Sequence, residues 1–239
     1  MKLDGFKIKT EVNVHDLDYN EIAKASAILK YMQTCAESQL AEHGMSYLEL
    51  KDIGRAFILS KVRLEISRAL REGEPITAVT FPCESRGFSF LRCYGLEQGG
   101  VTVARAVSLW ALIDTSNRSL VRVNDFELDL PLLPPIDLSF NRFKLPDSLI
   151  DVGGYGVHYG DVDRNMHMNN TKYPNMYSNY LPLLGKRIKS ISINYLSEAK
   201  MGEKMRVLRA EAGDLYYFRT VKADGSVNSE AEIELCDIE

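Results

Sequence analysis

The chain lacks the signatures of several classes of protein. Its four cysteines contain no CxxC pair, so neither a disulfide framework nor a cysteine-ligated metal site is expected. Its four histidines form no HExxH motif or His/Cys pairing, which predicts that no metal is bound. No P-loop and no GxGxxG motif occurs, so no nucleotide cofactor is predicted either.

Strong net charge and long apolar runs are also missing. The formal net charge is −4, which excludes the strongly basic footprint of a nucleic-acid-binding domain. No run of about 18 uncharged apolar residues occurs, so no membrane span is predicted. The first residues resemble neither a signal peptide nor a transit peptide, and the expected location is cytoplasmic. The 45% hydrophobic composition is that of a globular protein with a core.

One short polar pattern occurs twice. The motif D-x-D-x-N appears as Asp16-Leu-Asp-Tyr-Asn20 and again as Asp161-Val-Asp-Arg-Asn165, at an offset of 145 residues. Each copy precedes a segment with apolar residues at steps of three and four, which predicts helices over residues 21–43 and 171–184. Asn20 suits the N-cap of the first helix and Gly44 its end, whereas Pro174 confines the start of the second to about Asn170 or Thr171.

Each predicted helix is followed by a run of predicted strands. Alternating and β-branched residues, separated by turn signals such as Gly99-Gly100 and Asp224-Gly225, carry this prediction. A helix followed by adjacent strands, twice, is typical of an α+β fold with an antiparallel sheet. The predicted strands span residues 56–66, 76–84, 89–98, 101–114, 188–195, 204–212, 216–223 and 227–236.

A second internal match supports duplication. Gly73-Glu74 aligns with Gly202-Glu203 at an offset of 129 residues, and both pairs precede a predicted strand. Between the halves, residues 125–146 contain four of the eight prolines, which predicts an extended crossing. The predicted organisation is an N-terminal domain over residues 1–124, a proline-rich linker over 125–148 and a C-terminal domain over 149–239. Gly153-Gly154-Tyr155-Gly156, just before the second motif, is interpreted as a turn.

The segment from Asp161 to Tyr173 concentrates groups that carry chemistry. It places carboxylates, carboxamides and an imidazole directly before a predicted helix, whose unpaired N–H groups would suit a carbonyl oxygen that becomes negative during attack. Helix capping alone accounts for Asp161, Asn169 and Asn170. The functional interpretation is favoured for the three residues Asp163, Asn165 and His167.

This segment resembles the acyl-acyl carrier protein thioesterases, a family with two hot-dog domains in tandem. The family pattern D-x-N-x-H-x-N-N-x-K-Y is present from Asp163 to Tyr173. The strand Ser108-Leu-Trp-Ala-Leu-Ile-Asp114 is similar to the tryptophan-bearing strand of the first family domain. Asn194-Tyr-Leu-Ser-Glu198 is similar to the segment that carries the family's catalytic glutamate. Some members have a cysteine after that glutamate, but Ala199 stands here, which argues against a cysteine nucleophile.

The resemblance implies a fold, an activity and a set of site residues. The expected fold is α+β, with two tandem hot-dog domains that each wrap an antiparallel sheet around a central helix. The expected activity is hydrolysis of fatty acyl thioesters on acyl carrier protein, which presents the acyl chain on phosphopantetheine, and self-association into a homodimer is left open. No cofactor is implied. The implied catalytic residues are Asp163, Asn165, His167 and Glu198, and the implied substrate-binding residues are Asn169, Asn170, Tyr173 and Trp110.

The two halves are predicted to divide the work. At the repeat offsets, Ile22 stands where the second half has His167 and Ala69 stands where it has Glu198. The N-terminal half therefore lacks the acid–base groups and is expected to form an apolar cavity for the acyl chain. Glu198 as general base and His167 as base oriented by Asp163 both remain open. A coenzyme A thioesterase and a non-catalytic acyl-binding protein remain the alternative functions.

Overall fold

The computed structural model describes residues 3–140 and 143–238. Within these ranges, the strands form one eleven-stranded sheet, which is antiparallel in every pairing. The strands are β1 (Phe6–Glu11), β2 (Arg55–Ile66), β3 (Pro75–Pro82), β4 (Phe90–Gln98), β5 (Val101–Asp114), β6 (Leu120–Val121), β7 (Ile150–Gly156), β8 (Lys186–Tyr195), β9 (Lys204–Ala212), β10 (Leu215–Lys222) and β11 (Val227–Asp237).

The sheet consists of two halves with the same strand order. The N-terminal half runs β1-β3-β4-β5-β2 and the C-terminal half runs β7-β9-β10-β11-β8, so corresponding strands occupy corresponding places. The halves join where β2 pairs with β8, from Lys61↔Asn194 to Glu65↔Ser190. The short strand β6 pairs with β5 outside this path. The α+β architecture with an antiparallel sheet is therefore as predicted.

The main helix, α1 (Ala25–Glu42), lies on the N-terminal half of the sheet and buries residues around much of its circumference. Gly44, with a φ of +68°, follows its last turn as predicted. The predicted N-cap was wrong, because the helix begins after Lys24 and not after Asn20. The Asn20 side chain instead donates to the carbonyl of Leu183, at 2.7 Å, and so ties the two halves together. A second helix, α2 (Tyr47–Asp52), was not predicted.

The helix of the C-terminal half is much shorter than predicted. Residues 170–172 form a 3-10 turn, and α3 (Tyr173–Ser178) has six residues. Pro174 lies in its first turn, as expected. The helix stops at Ser178 because Pro182 has no N–H to bond the carbonyl of that residue and would clash with it. The segment that follows turns toward β8, and Leu184 is exposed.

The eight predicted strands agree with the structure to within two residues at each end, and β5 and β9 agree at both ends. The interpretation of residues 153–156 as a turn was wrong, because they lie in β7 and pair with β9. Glycines give an edge strand no side-chain pattern to recognise. Gly153, with a φ of +138°, lets the chain pass close to the ring of Tyr180, where a Cβ would come within 3.2 Å.

The crossing between the halves contains no regular element from residue 126 to residue 140 or from residue 143 to residue 149. It packs Ile136 against the outer face of the N-terminal half, beside Val79, Phe81 and Cys93. Arg105 donates to the carbonyl of Asp137 at 3.0 Å and so fastens it to β5. None of the helices in residues 3–140 and 143–238 combines the length and apolar character that a membrane crossing requires.

Candidate active site

The second copy of D-x-D-x-N forms a tight polar loop before the 3-10 turn. Asp163 accepts a hydrogen bond from the Asn165 N–H at 2.8 Å, and its own N–H donates to the His167 carbonyl at 2.9 Å. Met166 adopts a φ of +63° at the tip of the loop. The loop thereby fixes the positions from which the side chains of Asn165 and His167 emerge.

The first copy forms the same loop. Asp18 accepts from the Asn20 N–H at 2.8 Å and donates to the Ile22 carbonyl at 2.9 Å, and Glu21 adopts a φ of +59°. Each of these positions lies 145 residues before its counterpart. The side chains differ, because Ile22 is buried in the core whereas His167 is partly exposed.

The second internal offset also corresponds to one structural arrangement. Ala23 donates to the carbonyl of Leu70 at 2.8 Å, and Met168 donates to that of Ala199 at 2.7 Å. The two acceptor residues are 129 positions apart, and each belongs to the segment that leads into the next strand of its own half. In the C-terminal half, this contact brings Glu198, the residue before Ala199, next to the loop that carries His167.

His167 and Glu198 are in contact. His167 Nε2 lies 3.4 Å from Glu198 Oε2, and the two side chains are 25% and 32% exposed. Arg118, from the turn between β5 and β6 in the N-terminal half, places Nη2 2.7 and 2.9 Å from the two carboxylate oxygens of Glu198. The carboxylate is therefore held between an imidazole of its own half and a guanidinium of the other half.

The chain segment before Glu198 is held by Asn228, at the start of β11. The carbonyl of Asn228 accepts from the N–H groups of Leu196 and Ser197, at 2.9 and 3.1 Å. Its side-chain amide donates to the carbonyl of Ser197 at 2.5 Å. The ammonium of Lys222 donates to the carbonyl of Glu198 itself. Backbone contacts thus fix where the Glu198 side chain begins.

Asn228 belongs to a buried polar network beneath the site. It donates to the hydroxyl of Tyr173 at 3.2 Å and accepts from Thr220 at 3.0 Å, and Thr220 in turn shares its hydroxyl with Ser229 at 2.7 Å. Burial raises the pKa of Tyr173 to about 12, so the phenol stays neutral and acts as a hydrogen-bonding group. The network supports the loop and the Glu198 segment from the core side.

A cavity of about 590 Å³ lies between the N-terminal half and this loop. Tyr47 of α2 closes part of its wall by donating to the Asn165 side-chain oxygen at 2.9 Å. The aromatic walls include Phe57, Phe90 and Trp110, the single tryptophan of the chain. The lining residues of the C-terminal half are Asp163, Arg164, Asn165, Asn169, Asn170 and Thr171.

The structure separates the predicted site residues into three groups. Trp110 and the polar residues Asp163, Asn165, Asn169 and Asn170 line the cavity. His167 and Glu198 contact each other but are not among the lining residues of that cavity. Tyr173, predicted to bind substrate, is buried against Tyr195, with ring centroids 5.0 Å apart, and does not line it.

Two of the amides at the predicted helix start are not free. Asn169 accepts from the Thr171 N–H at 2.9 Å through its side chain and from the Lys172 N–H at 2.8 Å through its carbonyl. Two amides at the start of the turn are therefore occupied by a cap, and α3 is a single short turn. The capping role considered for Asn169 is confirmed.

Three contributors were not predicted from the sequence. Arg118, Tyr47 and Asn228 lie far along the chain from the residues they contact, and no motif marks them. Arg118 and Tyr47 contact residues of the other half, and Asn228 contacts residues of its own half that are brought close by the fold. Among the described residues, no group of three or more His, Cys, Asp or Glu side chains is placed to hold a metal ion.

Comparisons with known proteins agree with this architecture. The crystal structure of an acyl-ACP thioesterase from Bacteroides thetaiotaomicron VPI-5482 is 17% identical in sequence, with a TM-score of 0.87. The match covers 96% of this chain and 97% of that one. The 12:0-ACP thioesterase from Umbellularia californica is 17% identical with a TM-score of 0.80, covering 99% and 100%. No curated protein sequence gave a significant match. These structural likenesses confirm the predicted fold of two tandem hot-dog domains.

Family models extend the agreement to the sequence. The model of the acyl-ACP thioesterase N-terminal domain matches residues 4–129, and that of the C-terminal domain matches residues 148–236. Together they cover most of the 239 residues. The chain therefore belongs to the acyl-ACP thioesterase family and is a hydrolase of fatty acyl-ACP thioesters.

Proposed function

We propose that the thioester is cleaved beside Asp163, Asn165, His167 and Glu198, while the acyl chain occupies the cavity of the N-terminal half. The proposal assigns acyl binding to a domain over residues 1–124 and catalysis to a domain over residues 149–239, with 125–148 as linker. Its main support is the shared cavity, which is lined both by aromatic residues of the first half and by the polar loop of the second. Mostly apolar pockets with a few polar groups are typical of lipid sites.

Glu198 is assigned as the general base. It accepts a proton from a water molecule, whose oxygen attacks the thioester carbonyl. The collapsing intermediate expels the carrier thiolate, which takes up that proton from Glu198 and so regenerates the base. A carboxylate offers about four lone-pair sites, so the contacts with Arg118 and His167 leave room for a water. General base assistance typically contributes about 10²–10⁴ in rate. Asn165 is assigned to the carbonyl oxygen, since Tyr47 uses its oxygen and its amide nitrogen remains a donor.

The contacts favour Glu198 over the alternative in which Asp163 orients His167 as base. The Asp163 carboxylate bonds the Asn165 N–H within its own turn, whereas the imidazole of His167 faces Glu198. His167 is accordingly assigned to orienting Glu198 and the water. Asp163 is assigned to shaping the loop and polarising the water from the cavity side.

Two substitutions test the assignment. Glu198→Gln keeps the size of the side chain and removes the base, so thiol release from acyl-ACP is expected to fall by about 10²-fold or more. Glu234→Gln is the matched control, because it removes an ion pair with Lys189 on β8 and β11, outside the site. Near-normal turnover of Glu198→Gln would reject Glu198 as base, and a harmless His167→Ala would reject any role for the imidazole.

A cytoplasmic location and a homodimer are also proposed. The four cysteines are free thiols, which suits the reducing conditions of the cytoplasm. The unpaired edges of β1 and β7 in the described sheet are surfaces on which a second copy could pair. Light scattering across a range of protein concentration tests the dimer, and a constant monomer mass would reject it.

A further inference from the structure

The wall of the cavity contains one charged residue where the strand pattern calls for an apolar one. Phe90, Arg92 and Tyr94 alternate along β4 on the face that lines the cavity. Arg92 is 7% exposed, which is rare for an arginine. Its neighbours on the same face are aromatic, so the guanidinium lies in a largely apolar wall.

The guanidinium of Arg92 is incompletely partnered by the protein. Nη1 donates to the side-chain oxygens of Gln39 and Thr80, at 2.6 and 3.1 Å. Within the described residues, no carboxylate lies within ion-pair distance, and Nε and Nη2 have no hydrogen-bond partner. Unlike Arg63 Nε, which is unpartnered and fully enclosed by protein, these two nitrogens are not fully enclosed. They therefore border the open space of the cavity.

A buried cation without a counter-ion is costly. Removal of a charge from water costs several kcal/mol or more unless it is paired and hydrogen-bonded. Burial lowers the pKa of Arg92 from its usual value, as expected for a desolvated cation, and arginine nevertheless keeps its charge in proteins. A ligand that brings an oxygen acceptor to this guanidinium is therefore expected to bind more tightly than a ligand that brings a methyl group.

The position of Arg92 suggests which part of a ligand it meets. β4 is separated from β8 by β5 and β2, three strand spacings or about 14 Å along the sheet. The polar loop of the C-terminal half lies on the β8 side, because Tyr195 at the end of β8 donates to the carbonyl of Asn170 at 2.9 Å. Arg92 lies on β4, on the far side of β5 and its Trp110. An acyl chain whose thioester lies at the loop would approach Arg92 with its distal part.

We propose that Arg92 makes this enzyme selective for acyl chains that carry an oxygen function, a hydroxyl or a carboxylate, on their distal part. The inference rests on the proposed function, in which the acyl chain fills this cavity. A carboxylate would take the two unpartnered nitrogens of the guanidinium, and a hydroxyl would accept from one of them. An unsubstituted chain of the same length would leave both nitrogens desolvated and unpaired.

Binding can be measured without turnover because Trp110 is the single tryptophan and lines the cavity. Its fluorescence is titrated with methyl esters of a saturated fatty acid and of its ω-hydroxy and ω-carboxy analogues, over a series of chain lengths. The methyl ester removes the charge of the carboxylate at the head of the chain, so the distal group is the one free hydroxyl or carboxylate of each analogue. At the best length, the ω-carboxy ester is expected to bind at least about tenfold more tightly than the unsubstituted ester. Equal or tighter binding of the unsubstituted ester at every length would overturn the proposal.

Variants then assign the preference to the guanidinium. Arg92→Met keeps a long side chain and is expected to abolish the preference, whereas Arg92→Lys keeps the charge and is expected to retain part of it. A preference that survives Arg92→Met would overturn the assignment, and the wild-type comparison stands even if that variant does not fold. Glu198→Gln is expected to show the wild-type binding preference. A failure of the catalytic assignment therefore appears in turnover, and a failure of this inference appears in binding.

Discussion

The duplicated loop offers a controlled test of what Asp163 contributes. Asp163→Ala and Asp18→Ala remove the same hydrogen bond from the two copies of the loop. In each copy, the aspartate side chain accepts this bond from the N–H of the asparagine two residues later. Asp163 lines the cavity beside Asn165 and belongs to the loop that carries His167, whereas Asp18 lies in the half that has Ile22 at the position of His167. A purely structural role would make the two variants alike, and a chemical role would make them differ in turnover.

The size of the structural effect follows from the contacts. Each bond is 2.8 Å long and lies in a loop at the surface, where one hydrogen bond contributes about 0.5–1.5 kcal/mol. Asp18 also accepts a longer bond from Ile22 at 3.4 Å, so the control should lose at least as much stability. A loss of about 1 kcal/mol corresponds to about 2–4 °C in Tm for a chain of this size.

Thermal unfolding and thiol release from acyl-ACP measure the two effects separately. Both variants are expected to melt a few degrees below wild type. Asp163→Ala is expected to lose at least about tenfold in kcat, which corresponds to about 1.4 kcal/mol of transition-state stabilisation, and Asp18→Ala is expected to stay within about twofold. Equal kcat values for the two variants would refute the chemical role of Asp163.

Substitutions at Asn228 and Arg118 test the surroundings of the site, and a substitution at Glu65 tests a group of ion pairs elsewhere on the sheet. Asn228→Ala is expected to lower the free energy of unfolding by about 1–3 kcal/mol in denaturant unfolding, because it leaves buried partners unpaired. It is also expected to lower kcat, because the segment before Glu198 loses the hydrogen bond to the Ser197 carbonyl. An unchanged kcat would contradict a role for that bond in holding Glu198. Arg118→Met is expected to lower kcat/KM by about tenfold through loss of the contact that holds Glu198, and Arg118→Lys to recover part of it, whereas equal rates would exclude the contact from function. Glu65 is partly buried, but its two arginine partners outweigh that burial and lower its pKa, so its contribution is present above about pH 4.3 and lost as pH falls through the lowered pKa. Glu65→Gln should therefore cost about 1 kcal/mol at neutral pH and progressively less in acid, and a pH-independent cost would contradict this.

The strands could be predicted closely because their signals are local. Alternation and turn glycines fixed all eight predicted strands to within two residues. The errors occurred where local signals conflict with tertiary contacts. Asn20 is a good N-cap residue, but its side chain bonds the segment around Leu183 in the other half, and the helix begins at Ala25. The glycine-rich β7 pairs with β9, but glycines at 153, 154 and 156 interrupt the alternation of its side chains, so sequence reasoning had no strand pattern to use.

The site shows the same division between local and long-range information. The motif from Asp163 to His167 is contiguous, and both the loop and its internal repeat were readable from sequence. Arg118 reaches Glu198 across 80 residues and Tyr47 reaches Asn165 across 118. These contacts exist because β2 and β8 join the two halves into one sheet, and no spacing rule within either half predicts them.

The two loops share a backbone conformation and differ in the side chains that they present. The hydrogen bonds at Asp18 and Asp163 are equal in length, and the positive φ values of Glu21 and Met166 differ by a few degrees. Because the loop is built from main-chain bonds and one aspartate, the side chain of the residue that follows the positive-φ position is free to vary. The N-terminal half fills the counterpart of His167 with an isoleucine that is buried. The C-terminal half fills it with a partly exposed imidazole that contacts Glu198, and this difference supports the proposal that catalysis belongs to the C-terminal half.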